Sequence, residues 1–214
     1  MQLAIFDLDG TITRRDTLAP YVFGFLCRHP WRLPRLLGII PALIRYLFRR
    51  DRGDLKSALL RSALGGVSRS QLNMWNSRFI PALIARGTFR QALDQIAEHD
   101  RAADVLVLMS ASPDLYVPAI AAELGFTETI CTGVRWNGDR LGGALTTPNR
   151  RGAEKTRCLE SLRDRHAGLE TIAYGNTASD LDHLCRSNRG VLVNAPPATR
   201  RHAAGLGILC VSWH

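Results

Sequence analysis

The sequence QLAIFDLDGT occupies residues 2–11 and joins an apolar run to two closely spaced aspartates. Gln2–Phe6 predicts a short buried strand, because a brief apolar run bounded by turn residues is typical of the strands of a parallel sheet. Asp7 and Asp9 follow directly, at the carboxyl end of that strand. Open α/β sheets place their binding sites at such ends, so the stretch predicts a site as well as a strand.

The rest of the chain alternates short apolar runs with helical patterns. Further strands are predicted at 103–109, 171–174, 191–193 and 208–211. Helices are predicted at 113–124, 154–165 and over 181–185, and a hairpin at 131–144 that turns at Asn137-Gly138. This alternation predicts an α/β fold, in which helices cover both faces of a parallel sheet.

One block interrupts this alternation. From about residue 16 to residue 84 the pattern is helical, with several breaks at prolines and glycines. We therefore expect an all-helical cap over residues 15–87, inserted after the first strand. The core would then be built from residues 1–14 and 88–214.

The composition limits the classes to which the chain can belong. Its 214 residues suffice for one α/β domain with a modest insertion. The five cysteines are scattered and form no CxxC pair, so we expect reduced thiols in a cytoplasmic location rather than zinc sites or disulfides. No signal-peptide pattern precedes the first strand. The longest apolar stretch, Leu36–Phe48, is too short to span a bilayer.

The net charge of +9 comes almost entirely from arginine. Such a charge is typical either of a solvated surface or of attraction to an anion, which could be a phosphate ester, a lipid surface or a nucleic acid. The arginines are spread along the chain and no nucleic-acid recognition motif is present, so we do not expect a nucleic-acid partner.

The pair Asp7 and Asp9 has a specific chemical use. A divalent cation close to both carboxylates would keep them ionised despite their mutual repulsion. One carboxylate could then attack phosphorus, while the other hands a proton to the leaving oxygen. The alternative is a surface turn, because Asp-Gly is common in turns.

Three later segments favour the chemical interpretation. Ser110 follows a predicted strand, where a hydroxyl and a free backbone amide can hold a phosphate oxygen. Lys155 lies near a predicted helix start, where it does not complement the helix dipole but could neutralise a phosphoryl group; the chain has one other lysine, Lys56. Tyr174–Asp180 follows a strand and offers oxygen ligands suited to Mg²⁺.

Together, in this order, the four segments resemble the motifs of the haloacid dehalogenase-like phosphatases, and most closely the branch that includes phosphoserine phosphatase. Asp7–Thr11 matches the DxDGT motif, Ser110 the second motif, Lys155 the third, and Gly175–Asp180 the acidic fourth. The resemblance covers essentially the whole chain. It implies a Rossmann-like parallel-sheet core with an inserted helical cap that shields the site from water.

The resemblance also implies roles for individual residues. Asp7 would be the phosphorylated nucleophile and Asp9 the general acid and base. Mg²⁺ would be bound by the Asp7 side chain, the Asp9 carbonyl and a residue of the fourth motif, for which Asn176 and Asp180 are candidates. The residues expected to contact the substrate are Thr11, Asp16, Ser110, Ala111 and Lys155.

Asn176 departs from the family pattern, in which an aspartate normally occupies this position as a metal ligand. Its amide oxygen can still coordinate a cation, but without charge, and Asp180 or Asp182 could supply the anionic ligand instead. Two alternatives follow: an active site with weaker Mg²⁺ affinity, or a protein that binds its ligand without turning it over.

Residues 28–50 are both basic and apolar, and two interpretations stay open. The segment could form cap helices that pack on each other, or it could contact anionic lipid at the inner face of a membrane. The substrate could accordingly be a small phosphate ester or a lipid phosphate. Phosphoserine itself is not expected, because Ala58 stands where the related enzymes have a substrate-binding arginine and only Arg61 lies nearby.

Overall fold

The computed structural model describes residues 1–214, and a six-stranded parallel sheet lies at its centre. The strand order is β3-β2-β1-β6-β7-β8, and β4 and β5 form a separate antiparallel pair. The direction of winding reverses between β1 and β6, which is where sheets of this kind place their sites. The strands are β1 (Leu3–Phe6), β2 (Val105–Pro113), β3 (Glu128–Thr132), β4 (Val134–Asn137), β5 (Arg140–Leu145), β6 (Thr171–Gly175), β7 (Arg189–Val193) and β8 (Leu209–Val211).

Nine α-helices accompany the strands, and five of them lie in the chain between β1 and β2. A 3-10 segment, Pro30–Ile39, joins the first two. The helices are α1 (Leu18–Arg28), α2 (Ile40–Arg49), α3 (Arg52–Leu64), α4 (Arg69–Gly87), α5 (Arg90–Arg101), α6 (Val117–Glu123), α7 (Ala153–Arg165), α8 (Leu181–Arg186) and α9 (Pro197–Gly205). No helix has the length and apolar character needed to cross a membrane.

Strand β1 lies in the middle of the sheet because all four of its residues are apolar and fully buried. Ala4 and Phe6 belong to the larger core cluster, of 33 residues, whereas Leu3 and Ile5 belong to a second cluster of 14 residues. Alternate residues of a strand point to opposite faces, so the two clusters lie on the two sides of the sheet. The predicted α/β fold with a parallel sheet is confirmed.

The helical block after β1 shares the larger core cluster with the sheet. Leu60 and Leu64 of α3 and Trp75 of α4 belong to the same cluster as Phe6. The proposed division into a core (1–14 and 88–214) and a cap (15–87) stays a prediction.

Two predicted elements differ from the structure. The helix expected from Pro113 begins at Val117, because the chain stays extended through Pro113 and pairs there with Thr132 of β3. The hairpin expected over 131–144 consists of β4 and β5 alone, since Cys131 belongs to β3 of the main sheet.

Candidate active site

A cavity of about 140 Å³ opens at the carboxyl ends of β1, β2 and β6. Fifteen residues line it, and only two of them are apolar. Asp7 and Asp9 come from the end of β1, and Ala111 and Ser112 come from β2. The others come from the segments before α1, α3, α7 and α8 or from the first two turns of those helices. The lining residues are Asp7, Asp9, Asp16, Leu18, Arg52, Lys56, Ala111, Ser112, Asn149, Arg151, Lys155, Asn176, Thr177, Ser179 and Asp180.

Lys155 forms buried ion pairs with Asp7 of the first motif and with Asp180 of the fourth motif. Its Nζ donates to Oδ1 of Asp7 at 2.6 Å and to Oδ1 of Asp180 at 2.8 Å. Burial disfavours the charged form of Lys155, but attraction to the two carboxylates outweighs burial and raises the pKa of the ammonium. The lysine therefore stays charged at the floor of the cavity.

Asp7 is buried with more negative than positive charge around it. Burial raises the pKa of its carboxyl above the ordinary range; Lys155 opposes this shift, and Asp180 and Asp9 add to it. Thr11 donates its hydroxyl to Oδ2 of Asp7 at 3.2 Å. Thr11 is fully buried and reaches the cavity only through this contact.

Asp9 is held by three hydrogen bonds from two residues. The backbone N–H and the Oγ1 of Thr17 both donate to its Oδ1 at 2.7 Å, and Oγ of Ser112 donates to its Oδ2 at 2.6 Å. Burial raises the pKa of Asp9, and the nearby Asp16 adds to that effect, while the hydrogen bonds oppose it. A carboxyl in this environment is fixed in orientation and suited to holding a proton.

Ser110 is fully buried and is not among the residues that line the cavity. Its Oγ accepts a hydrogen bond from the backbone N–H of Ser112 at 3.0 Å. Ala111 and Ser112 form this part of the cavity wall. Sequence analysis did not identify Ser112, although it stands two residues from Ser110 in the same strand.

Asn176 packs against the turn that follows Asp9. Gly10 has φ +81°, a conformation that favours glycine, and a Cβ added there would lie 1.9 Å from Nδ2 of Asn176. Only glycine leaves room for this amide beside the aspartate pair. The structure thus brings the position that departs from the family pattern next to the first motif.

Asp180 and Asp182, the two alternatives to Asn176, differ in position. Oδ2 of Asp180 accepts hydrogen bonds from N and Oγ1 of Thr177, at 2.9 and 2.7 Å, and its Oδ1 binds Lys155. Asp182 lies outside the cavity, where it binds Thr156 and Arg186 and its side chain is 55% exposed. Asp180 therefore orders the loop and Lys155, and Asp182 is removed from the site.

A profile of the haloacid dehalogenase-like hydrolases matches residues 4–184. The chain belongs to this family.

Individual proteins are similar to the chain in sequence or in fold. The chain is 34% identical over 189 residues to protein CicA of Caulobacter vibrioides, a match that covers 85% of this chain and 81% of that protein. A protein of unknown function from Bordetella pertussis Tohama I has a similar fold, with TM-score 0.80, 23% identity and coverage of 98% and 97% of the two chains. Phosphoserine phosphatase in apo form is also similar in fold, with TM-score 0.63, 16% identity and coverage of 98% and 92%.

Haloacid dehalogenase-like phosphatases generally use Mg²⁺, and the oxygen donors of this cavity fit such a cation. Asp7 and Asn176 line the cavity and offer a carboxylate and an amide oxygen, and the backbone carbonyl of Asp9, a third lining residue, is a further candidate donor. Mg²⁺ prefers hard oxygen ligands of this kind. Burial raises the pKa of Asp7, and a dication bound beside it would favour the ionised carboxylate.

Three basic side chains line the cavity beside the aspartates and Lys155. Nζ of Lys56 donates to the Ala111 carbonyl and to Oδ1 of Asn149, both at 2.6 Å, and Arg52 and Arg151 are the other two. Burial lowers the pKa of Lys56 to about 8, although Asp9 and Asp16 oppose the shift. Sequence analysis did not select Lys56, although the available signal was that it is one of only two lysines in this arginine-rich chain.

Asp16 lines the cavity just before α1, and its contact with the substrate stays a prediction. Its Oδ1 accepts hydrogen bonds from the backbone N–H groups of Leu18 and Ala19, so it also caps the helix. Neither Ala58 nor Arg61 lines the cavity, and Arg61 donates instead to Ser57.

Proposed function

We propose that this hydrolase is a magnesium-dependent phosphatase that cleaves phosphomonoesters through an aspartyl-phosphate on Asp7. The observation that supports this most is the buried contact of 2.6 Å between the Asp7 carboxylate and the Lys155 ammonium, in a cavity that also holds Asp9. A nucleophile and a fixed positive charge are thereby placed where a phosphoryl group can contact both.

In the first step the Asp7 carboxylate attacks phosphorus. A bond forms between the Asp7 oxygen and phosphorus, and the bond from phosphorus to the ester oxygen breaks. Asp9 donates a proton to that oxygen, so the leaving group departs as a neutral alcohol. Thr17 and Ser112 hold the Asp9 carboxyl in one orientation through their hydrogen bonds.

In the second step Asp9, now ionised, takes a proton from a water molecule that attacks the aspartyl-phosphate. The bond between phosphorus and the Asp7 oxygen breaks, which restores Asp7 and releases phosphate. Lys155 neutralises the phosphoryl oxygens throughout, and Asp180 keeps the ammonium in place. A Mg²⁺ ion held by Asp7, Asp9 and Asn176 would supply further charge neutralisation at the phosphoryl oxygens.

The cavity suits a phosphoryl group carried by a compact polar substituent. Its walls are polar, and Lys56, Arg52 and Arg151 add positive charge to them. A small phosphate ester would fit it whole, whereas a lipid phosphate would insert only its head. We include both substrate classes in the proposal, together with a cytoplasmic location.

The direct test is turnover of a panel of phosphomonoesters, including lipid phosphates in detergent, with Mg²⁺ and with a chelator. We expect phosphate release with Mg²⁺ and its loss on chelation. The neutral Asn176 favours a second candidate, a protein that binds phosphate esters without hydrolysing them. Saturable binding of the same esters with no phosphate release would support that candidate instead.

A further inference from the structure

Residues 31–48 expose an unusual amount of apolar surface. Eight of the thirteen large apolar side chains that are exposed in the whole protein lie in this short stretch. Phe48 is 83% exposed, and Trp31 and Leu37 are each 69% exposed. The eight residues, which we call the apolar surface, are Trp31, Leu33, Leu37, Ile40, Leu43, Ile44, Leu47 and Phe48.

Helix α2 presents its apolar side to solvent. Five residues of the apolar surface recur along α2 at the spacing i, i+3, i+4, i+7 and i+8, which places them on one side of the helix. The helix packs through the other side, where Ala42 is 2% exposed and Tyr46 is half-buried. A stripe that ordinarily faces a core thus has no partner within this chain.

The segment that carries this surface has only positive charges. Residues 28–50 contain six arginines and no acidic residue. Arg45 is paired with Asp54 of α3, whereas Arg35 and Arg49 are exposed and form no ion pair. An apolar stripe on a segment whose charged residues are all positive is complementary to a surface that is apolar inside and anionic outside.

We propose that the apolar surface docks onto an anionic lipid bilayer, with α2 lying in the interface. The stripe would enter the boundary between headgroups and acyl chains, and the exposed Arg35 and Arg49 would add to the positive charge that attracts anionic headgroups. Trp31 suits the same depth, because tryptophan favours the interface between water and lipid. A second copy of this chain is a poorer occupant, since pairing two such surfaces would bring like-charged arginines together.

Docking of this kind would bring the cavity close to the membrane. Arg45 of α2 binds Asp54 of α3, and Arg52, at the start of α3, lines the cavity. The docking surface and the cavity mouth are therefore joined through one helix. The docking proposal does not depend on the proposed reaction, and its test uses no substrate.

The test is co-sedimentation of the full chain with vesicles of phosphatidylcholine alone and of phosphatidylcholine mixed equally with phosphatidylglycerol. We expect binding to the mixed vesicles, weaker binding to the neutral ones, and a decrease as salt rises. The fluorescence of Trp31 should shift to the blue on binding, and Trp31→Phe should remove that shift.

Two pairs of double variants separate the apolar from the charged contribution. Leu47→Gln with Phe48→Gln should lower the affinity for mixed vesicles by about tenfold or more, whereas Met74→Gln with Leu206→Gln, exposed elsewhere, should leave it unchanged. Arg35→Glu with Arg49→Glu should lower it by roughly tenfold or more. The control Arg78→Glu with Arg201→Glu makes the same change in net charge at exposed positions outside residues 28–50. It should have a much smaller effect on the affinity.

All of the substituted residues are exposed, so the variants should fold, and circular dichroism checks this directly. The proposal would be overturned if the wild type bound neither the neutral nor the anionic vesicles. A concentration-dependent dimer that the Leu47 and Phe48 substitutions dissociate would do the same, because a second copy would then occupy the surface. Loss of vesicle binding that is equal in the surface variants and the controls would also overturn it.

Discussion

Asn176 stands where the motif resemblance predicts a metal-binding aspartate, and the structure places it beside Gly10 at the cavity. Asn176→Asp adds one negative charge next to the proposed cation. Coulomb attraction at contact distance is on the order of several kcal/mol, and desolvation offsets much of it. We expect a several-fold lower Mg²⁺ concentration for half-maximal phosphatase activity, with a smaller change in the maximal rate.

The matched control is Asn149→Asp, which adds the same charge in the same cavity but beside Lys56. A Mg²⁺ titration of the three proteins, with saturating substrate, compares them. If Asn176→Asp needs as much Mg²⁺ as the wild type, Asn176 is not a metal ligand. Asp180 would then be the remaining candidate, although it already binds Lys155.

Lys56 is expected to bind the substrate through charge. Its pKa of about 8 means that the ammonium loses its proton as the pH rises through that value. The KM of the wild type should therefore rise above about pH 8, while kcat changes less. Lys56→Gln should show a KM about tenfold higher already at neutral pH, because a hydrogen bond to a charged group is lost.

The control for Lys56 is Arg61→Gln, on the same helix but outside the cavity. It should keep the KM of the wild type and its pH dependence. The account of Lys56 fails if Lys56→Gln retains the KM of the wild type at neutral pH, or if both variants raise KM equally.

Residues that follow strands directly could be predicted from the sequence, and contacts between distant segments could not. Asp7, Asp9 and Asn176 stand at strand ends, where topology alone brings side chains together. Thr17 and Ser112 contact Asp9 from two different segments, and the serine is 103 residues away along the chain. Because no local pattern marks such a contact, these residues emerged only from the structure.

At the scale of elements, the apolar pattern of the sequence predicted the positions of strands more accurately than the first residues of helices. The strands predicted at 171–174 and 191–193 lie within β6 and β7. The start of α6 was misplaced because Pro113, a residue typical of a first helical turn, instead ends β2. Helices α5 and α9 were not predicted at all.

The start of α4 gives a prediction at the same scale. Oγ of Ser68 accepts a hydrogen bond from the Gln71 backbone N–H at 3.2 Å, and Oε1 of Gln71 accepts one from the Ser68 N–H at 3.1 Å. Ser68→Ala removes this reciprocal cap. We expect the free energy of unfolding to fall by about 1 kcal/mol in a denaturant titration.

Ser77→Ala, within the same helix, is the matched control. It should change the free energy of unfolding little, because alanine is a good helix former and no cap is lost. An equal loss in the two variants would mean that the cap contributes nothing specific.

At the scale of the whole molecule, the sequence predicted the fold class and the family. It did not predict that the apolar side of α2 is exposed. Alternating apolar runs imply a parallel sheet whatever the details of the helices. The apolar pattern of α2 is compatible with packing or with exposure, since periodicity shows which residues share a face and not what covers it. Only the structure shows that Ala42, rather than the stripe with Phe48, faces the protein.

The central claim is that Asp7 becomes phosphorylated during turnover. The most direct test compares phosphate release and the mass of the protein, quenched during turnover with Mg²⁺, for the wild type, Asp7→Asn and Asp182→Asn. Asp182 lies outside the cavity and serves as the control. We predict that the wild type and Asp182→Asn release phosphate and gain one phosphoryl group, while Asp7→Asn does neither and keeps its fold. Near wild-type phosphate release by Asp7→Asn, or a phosphoryl group found on another residue, would contradict the account.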